Sequence, residues 1–395
     1  MRVLLFTGKG GVGKTTAAAG TAVFAARRGL KTLVVSTDTA HSLADALDGA
    51  VGVEPTELAP GLFAEQIDVQ RAFERSWREI QDYLLSVLDA AGVDPVEAEE
   101  LTVLPGAEEV LALLEVRAQV GSGRFDLVAV DCAPTAETLR LLALPEALGW
   151  YVARVMPIER RVVGTLRPVL DAVTGVPMPR GRVYDALERL HTDLAQVRSV
   201  LTDRSTSVRL LLTPEAVVVA EARRTLTSLS LYGYTVDAVI ANRVFPAEGA
   251  DTWRAGWVAA QRARLAEVDE SFAPLSVYRS PYRATEPIGL TELLAFAEET
   301  YAGVTDPFAV PAVEEPVAVE HADGDYVLSL ALPFAGHDGL DLARRGDELV
   351  ITVGARRRVL ALPNALRRRS VGEAALKDGR LRVRFTSRPG HRPGS

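Results

Sequence analysis

Cysteine is almost missing from this chain: one residue, Cys132, in 395. A single thiol excludes an intramolecular disulfide framework and any multi-cysteine metal site within one chain, and it fits a reducing compartment. Lysine is nearly as scarce, with four residues against forty arginines, and methionine is limited to three. No uninterrupted apolar stretch approaches the ~20 residues needed to span a bilayer. The short apolar start runs directly into a glycine-rich loop, unlike a targeting signal. A soluble, cytoplasmic protein with no transmembrane segment is the expectation. Net charge is −8, and it is unevenly spread: from Val317 onward fourteen Lys+Arg face nine Asp+Glu, or +5, which leaves −13 for residues 1–316. So acidic a body argues against non-specific nucleic-acid binding. The runs Arg356-Arg357-Arg358 and Arg367-Arg368-Arg369 read either as solvated loops and strand edges or as a contact for an acidic partner or lipid surface.

What is present is enough for a large core: 48% of residues are apolar and 24% charged. Short β-type runs alternate with longer helical patterns over the first three hundred residues, the mark of a mostly parallel, doubly wound sheet covered by helices. Expected strands are Val3–Thr7, Thr32–Ser36, Phe63–Ile67, Leu127–Asp131, Val208–Thr213 and Val236–Ala241, with another near Leu275–Tyr278. Between Val69 and Val120, and again between Glu137 and Leu201, the pattern is helical without strands and reads as insertions on the core. Residues 303–316 carry three prolines without periodicity and read as a linker. Beyond it, short alternating segments beginning at Val317, Tyr326, Glu348, Arg358 and Arg380 predict a small all-β sandwich over 317–387. Residues 388–395 read as a disordered tail.

The chemistry begins at Gly8-Lys9-Gly10-Gly11-Val12-Gly13-Lys14-Thr15, directly after the apolar run Val3-Leu4-Leu5-Phe6. This is a phosphate-binding loop between a buried strand and a helix that runs from Thr15 to about Arg28. Its glycines let backbone N–H groups close around phosphate oxygens. Lys14 is placed to reach the terminal phosphates, and the Thr15 hydroxyl to hold Mg²⁺. Two of the four lysines fall in this loop, where a compact ammonium suits a phosphate point contact. Phosphoryl transfer also needs a metal carboxylate and a group that orients water. Asp131 ends an apolar strand and suits the metal. Asp38, closing the second strand, suits the water, although helix capping ahead of Ser42 is an alternative. Lys9 reads either as a solvated lysine or as an ammonium reaching a second nucleotide across a dimer, in the manner of an arginine finger.

Four segments taken together carry a resemblance: Lys9 to Thr16; Asp38-Thr39-Ala40-His41-Ser42-Leu43-Ala44-Asp45; Leu104-Pro105-Gly106-Ala107-Glu108; and Asp131 through Pro145. In order and content they resemble the ArsA/tail-anchored-protein-targeting ATPase family, which has a deviant phosphate loop with an extra lysine. Thr213-Pro214-Glu215, Ile240-Ala241-Asn242-Arg243, Ala273-Pro274-Leu275 and Glu286-Pro287-Ile288-Gly289 extend the match over 1–302. The resemblance implies an ATPase using ATP and Mg²⁺. It implies that Lys9 contacts the nucleotide of the other subunit, that Asp38 is the hydrolytic residue of switch I, and that Asp131–Thr138 is switch II. It further implies that Asn242 reads the adenine edge, that Pro274 packs near the base, and that Glu215 contacts nucleotide. A homodimer opening and closing around a hydrophobic client or membrane partner follows, because the chain has one phosphate loop. The segment 317–387 resembles the small heat-shock/α-crystallin-like domain fused to some bacterial members.

Departures from the family pattern are equally specific. Thr39 stands where many relatives have proline, and Ala136-Glu137 where Gly-His is usual. The zinc-binding Cys-x-x-Cys of the eukaryotic targeting factors is absent, so no zinc is expected. The arsenite-binding cysteines of the pump ATPase are missing too, although an oxyanion efflux subunit stays open as a reading. The apolar stretches 139–156 and 170–178 read as core and dimer packing or as a client groove. A chaperone-like binder with ATP as a timer is a further alternative. A ParA/MinD-type positioning ATPase fits less well, because neither a basic DNA face nor a C-terminal amphipathic helix is seen.

Overall fold

The computed structural model describes residues 1–37, 42–67, 81–82, 85, 107–132, 181–310, 312, 314–322 and 324–386. Eight strands form one sheet in the order β3-β4-β2-β5-β1-β6-β7-β8. They are β1 (Arg2–Gly8), β2 (Thr32–Ser36), β3 (Thr56–Ala59), β4 (Leu62–Gln66), β5 (Leu127–Asp131), β6 (Thr206–Leu212), β7 (Val236–Val244) and β8 (Ser276–Pro281). Only the β3–β4 pair is antiparallel. Strands β1, β2, β5 and β6 are buried at every position, as strands covered on both faces must be. All seven expected strands are present within a few residues, and β3 is an addition. It is a short edge strand, wholly or partly exposed at each residue, so no apolar alternation marks it.

Helices α1 (Lys14–Arg27), α2 (Ser42–Leu47), α3 (Ala107–Gly121), α4 (Gly181–Leu201), α5 (Ala216–Tyr232), α6 (Thr252–Phe272) and α7 (Gly289–Thr300) surround the sheet. A buried polar chain ties α7 to the core. The Tyr301 hydroxyl pairs with Thr21 Oγ1 of α1 at 2.7 Å and accepts from Arg209 Nη1 at 2.8 Å. Arg209, fully buried, also donates to the Pro307 carbonyl, anchoring the segment that follows α7. Such a guanidinium is tolerable inside because its terminal nitrogens are hydrogen-bonded and the Asp237 carboxylate lies 3.5 Å away.

Among the described residues no regular element lies between α7 and β9 (Val317–Ala322). The remaining strands are β10 (Asp325–Ala331), β11 (Leu340–Arg345), β12 (Glu348–Val353), β13 (Arg356–Ala361), β14 (Ser370–Lys377) and β15 (Arg380–Thr386), with a short α8 (Asn364–Arg367). They make a four-stranded sheet, β14-β15-β10-β9, and a three-stranded sheet, β11-β12-β13. Leu328, Leu330, Leu349, Ile351, Leu381, Val383 and Phe385 fill the space between them. On β15 these alternate with outward Arg382 and Arg384, the period-2 pattern of a half-buried strand. Seven strands stand where five are legible in the sequence. The two extra ones are edge strands: β11 is mostly half-buried, and β14 is mostly exposed and bulged between Val371 and Ala374.

The arginine runs are turned largely onto the chain itself. Arg358 is buried and donates to the Leu231 carbonyl at the end of α5, and Arg356 donates to the Arg224 carbonyl at 3.2 Å. Cations at a helix C-terminus meet its unsatisfied carbonyls favourably. Arg367 donates to Leu362 O and Arg369 to Gly324 O, both at 2.8 Å. The apolar stretches 139–156 and 170–178 and the tail lie outside the described residues.

Glu65 on β4 is buried, and burial together with the nearby Glu115 carboxylate pushes its carboxyl up to about 7. A raised folded-state pKa contributes stability that is complete below its ordinary value near 4.5 and lost as pH rises through about 7. Glu65→Gln should therefore raise the thermal midpoint at pH 8, by ~2–4 °C for each kcal/mol recovered, and leave it nearly unchanged at pH 4.5. A wild-type-like loss of Tm between pH 5 and 8 in that variant would contradict the assignment.

Candidate nucleotide-binding site

The C-terminal ends of the parallel strands share one edge of the sheet, and the glycine loop leaves β1 there. Gly8 sits so close to β6 that a Cβ would lie 2.4 Å from the Leu211 carbonyl oxygen. Gly13 has φ +95°, and a Cβ there would lie 2.4 Å from Asn242 Nδ2. No other residue type fits either position without moving backbone or neighbour. Gly13 is also the N-cap of α1, and no side chain caps that helix. Its first-turn N–H groups and positive dipole end therefore point at the loop, the arrangement that binds phosphate. Lys14 is buried behind the loop, whereas Lys9 stands out from it with 43% of its side chain exposed.

Beneath the loop lies Asp131, with no exposed surface. In register it sits beside Phe6 of β1 and Ser36 of β2. Its Oδ2 accepts from the Thr15 hydroxyl at 2.7 Å and from the Ser36 hydroxyl at 3.2 Å. The Thr15 Oγ1 is also 3.3 Å from Ser42 Oγ at the start of α2. Two hydroxyls and a carboxylate are hard oxygen donors. That set fits Mg²⁺, which takes few protein ligands and fills its shell with water and phosphate. No cluster of three His, Cys, Asp or Glu exists among the described residues, so the protein alone offers no closed metal cage there. Cys132, next in sequence, is buried, and desolvation with the Asp131 charge pushes its thiol up to about 12.

Asn242 ends the regular part of β7 against the loop. Its Nδ2 donates to the Val12 carbonyl and its Oδ1 accepts from Arg243 N, both at 2.8 Å. One further donor and one further acceptor position remain on the amide. A cleft of about 330 Å³ opens beside it, lined among others by Gly13, Thr16, Arg243, Pro281, Tyr282 and Pro287. Arg243 is a non-glycine residue at φ +59°, held there as Gln261 of α6 bonds Arg243 O at 3.0 Å and Phe245 N at 2.7 Å. Phe245 stacks on Tyr282 at 5.1 Å, and Trp257 packs beyond it.

Gly8 to Thr16, Asp131 and Asn242 are thus brought together. Glu215 is exposed at the N-cap of α5, on the same edge but outside the lining of this cleft. Pro274 is not brought in: it precedes β8, at the opposite end of that strand from the cleft, and the lining prolines are Pro281 and Pro287. The parallel direction of β8 dictates this, because β8 pairs Ser276 with Ala238 and Pro281 with Val244. Asp38 and Thr39, and switch II beyond Cys132, lie outside the described residues. Tyr282, Arg243 and Gln261 are functional neighbours that sequence reasoning missed. The signal for Tyr282 was its place directly after β8, and for Arg243 its place at the C-terminal end of β7, two strands of the same parallel set; Gln261 gave none.

Gly13→Ala combines a forced left-handed backbone with the Asn242 clash. Strain of this size should weaken ATP binding about 10- to 100-fold, read as Kd by calorimetry, with the near-UV circular dichroism retained. A wild-type Kd would show that the loop adapts.

The sequence profile of the Anion-transporting ATPase family matches residues 1–302, and that of the HSP20-like domain found in ArsA matches 323–385. The "Putative arsenical pump-driving ATPase" of Chlorobaculum tepidum is 35% identical over 389 residues, covering 98% of this chain and 96% of its own. An uncharacterized protein of Streptomyces coelicolor is 42% identical over 391 residues, covering 98% of each. The ATPase GET3 of Podospora anserina is 27% identical over 325 residues, or 79% of this chain and 93% of that protein. With a glycine loop at an uncapped helix N-terminus, a hydroxyl–carboxylate pair beneath it and both profiles matched, the chain belongs to the ArsA ATPase family and is an ATP-hydrolysing enzyme with a C-terminal HSP20-like domain.

Proposed function

We propose that the protein works as a homodimer that binds Mg²⁺-ATP across two facing phosphate loops and uses hydrolysis to open and close around a client or membrane partner. The observation that carries this reading is the Thr15–Asp131 contact at 2.7 Å beneath a helix N-terminus that no side chain caps. In this reading residues 1–302 are the ATPase unit, 303–316 the linker and 317–387 the β unit. The loop N–H groups and Lys14 hold the triphosphate. Thr15 and, through water, Asp131 hold the magnesium ion, which supplies charge neutralisation as the terminal bond breaks. Asn242 and Tyr282 wall the cleft into which the base fits, with the remaining amide positions of Asn242 available to its edge. Glu215 is placed by the resemblance alone. Asp38, by the same resemblance, orients the attacking water and takes its proton. Lys9 neutralises charge on the partner subunit's nucleotide, and its exposure on a single protomer supports that role. No helix among the described residues is long and apolar enough to cross a membrane.

Asp38→Asn should keep ATP binding and lose turnover by at least ~100-fold, measured as phosphate release under saturating ATP; wild-type turnover would remove Asp38 from its role. Lys9→Ala should abolish nucleotide-dependent dimerisation. Sedimentation with a non-hydrolysable analogue tests this, and an unchanged dimer in the variant would eliminate the role in trans.

A further inference from the structure

Lys9 has a partner on its own protomer. Its Nζ lies 4.0 Å from Glu221 Oε2 on α5. One turn further along the same helix the β-sandwich takes hold. Arg356 donates to Arg224 O, Thr227 Oγ1 donates to Pro333 O, Arg358 donates to Leu231 O, and the Tyr232 hydroxyl reaches Arg357 O at 3.5 Å. Leu231 has no exposed surface and belongs to the core of the sandwich rather than to that of the large sheet. Phe334 closes the contact edge-on against Phe272 of α6 at 6.0 Å, with the Arg223 guanidinium 5.7 Å from its ring. From Thr225 to Tyr232 every residue of α5 is buried, although five of those eight are Ser, Thr or Tyr. A helix segment of that composition is enclosed all round only because a second layer covers the face the sheet does not.

We propose that the β-sandwich braces α5 and thereby sets the resting position of Lys9, with Glu221 as the positioning residue that holds the ammonium on its own subunit. The inference rests on the reading that Lys9 acts on the partner subunit's nucleotide. A continuous helix rises ~1.5 Å per residue, so Glu221 and Leu231 stand on one rigid rod ~15 Å apart. Movement of the sandwich against the sheet is therefore delivered to Glu221 as movement of the rod. The pair itself is half-exposed and long. Such pairs shift an equilibrium by about two- to fivefold, enough to bias Lys9 toward its own protomer and weak enough for a triphosphate to displace. The arrangement gives the C-terminal domain a role inside the enzyme: it tunes how readily two loops engage.

The test uses the full-length chain and measures phosphate release against protein concentration at saturating ATP. Glu221→Gln should lower the concentration at half-maximal turnover about two- to fivefold, and Glu221→Asp should restore part of the wild-type value. In a Lys9→Ala background Glu221→Gln should have no effect. Arg356→Ala with Thr227→Val removes two sandwich contacts but spares the buried Leu231 and Arg358; it should shift the concentration in the same direction, and less so when Glu221→Gln is already present. An unshifted Glu221→Gln overturns the inference, as does a sandwich variant whose effect is undiminished by Glu221→Gln. If Lys9→Ala itself leaves the concentration dependence unchanged, the trans reading of Lys9 falls. A deficient Lys9→Ala beside an inert Glu221→Gln removes only the role given to Glu221 and the sandwich.

Discussion

Asp131 is a carboxylate with no exposed surface, and the geometry of the site follows from how it is held. Three strands meet there in register: β5 supplies it, β1 places Phe6 beside it, and β2 places Ser36 beside it. Its charge is tolerable in that position because the Thr15 and Ser36 hydroxyls donate to it. The same contact fixes the first turn of α1, since Thr15 is its second residue. The glycine loop is therefore clamped at both ends, by β1 before it and by the Thr15–Asp131 bond after it. Asn242 adds a third clamp through the Val12 carbonyl, at mid-loop. A phosphate cradle held at three points needs little reorganisation on binding, which is how preorganised donors become effective.

The central strands were legible because burial on both faces leaves an unbroken apolar run, and β1, β2, β5 and β6 have one. The glycine loop was legible because its residue types are dictated by backbone geometry, and the positions of Gly8 and Gly13 show which contacts dictate them. Edge strands were not: β3, β11 and β14 have no fully buried residue, so no apolar run or alternation distinguishes strand from loop. The Arg356–Arg358 run could be read in two ways because sequence shows charge without showing what it faces. Here Arg358 faces the Leu231 carbonyl at the end of α5 and Arg356 the mid-helix Arg224 carbonyl, while Arg357 is exposed. Pro274 illustrates a different limit. A motif can be matched residue by residue and still fall at the far end of its strand from the cleft, since strand direction is a property of the whole sheet.

Helix α5 shows how two folding units become one mechanical body. On a lone nucleotide-binding unit, Thr225-Leu226-Thr227-Ser228-Leu229-Ser230-Leu231-Tyr232 would be a mixed surface, apolar toward the sheet and hydroxyl-bearing toward water. The Ser228 hydroxyl bonds back to the Arg224 carbonyl at 2.7 Å and makes little demand on a neighbour, whereas the single Thr227 proton lies between the Arg223 carbonyl and the Pro333 carbonyl of the sandwich. With these hydroxyls satisfied, burial under a second layer is permitted. Arg358 then takes the Leu231 carbonyl, and Leu231 turns its side chain into the sandwich core. Burying one such leucine contributes about 1.5–3 kcal/mol, several times what a half-exposed ion pair contributes. The two contacts of α5 therefore differ in kind: Leu231 is seated in the sandwich core, whereas the Glu221–Lys9 pair is half-exposed, on a stretch whose Val218, Val219 and Ala222 pack into the core of the large sheet. In the proposed coupling the rod links the β-sandwich to the phosphate loop, and a bias at either contact is felt at the other.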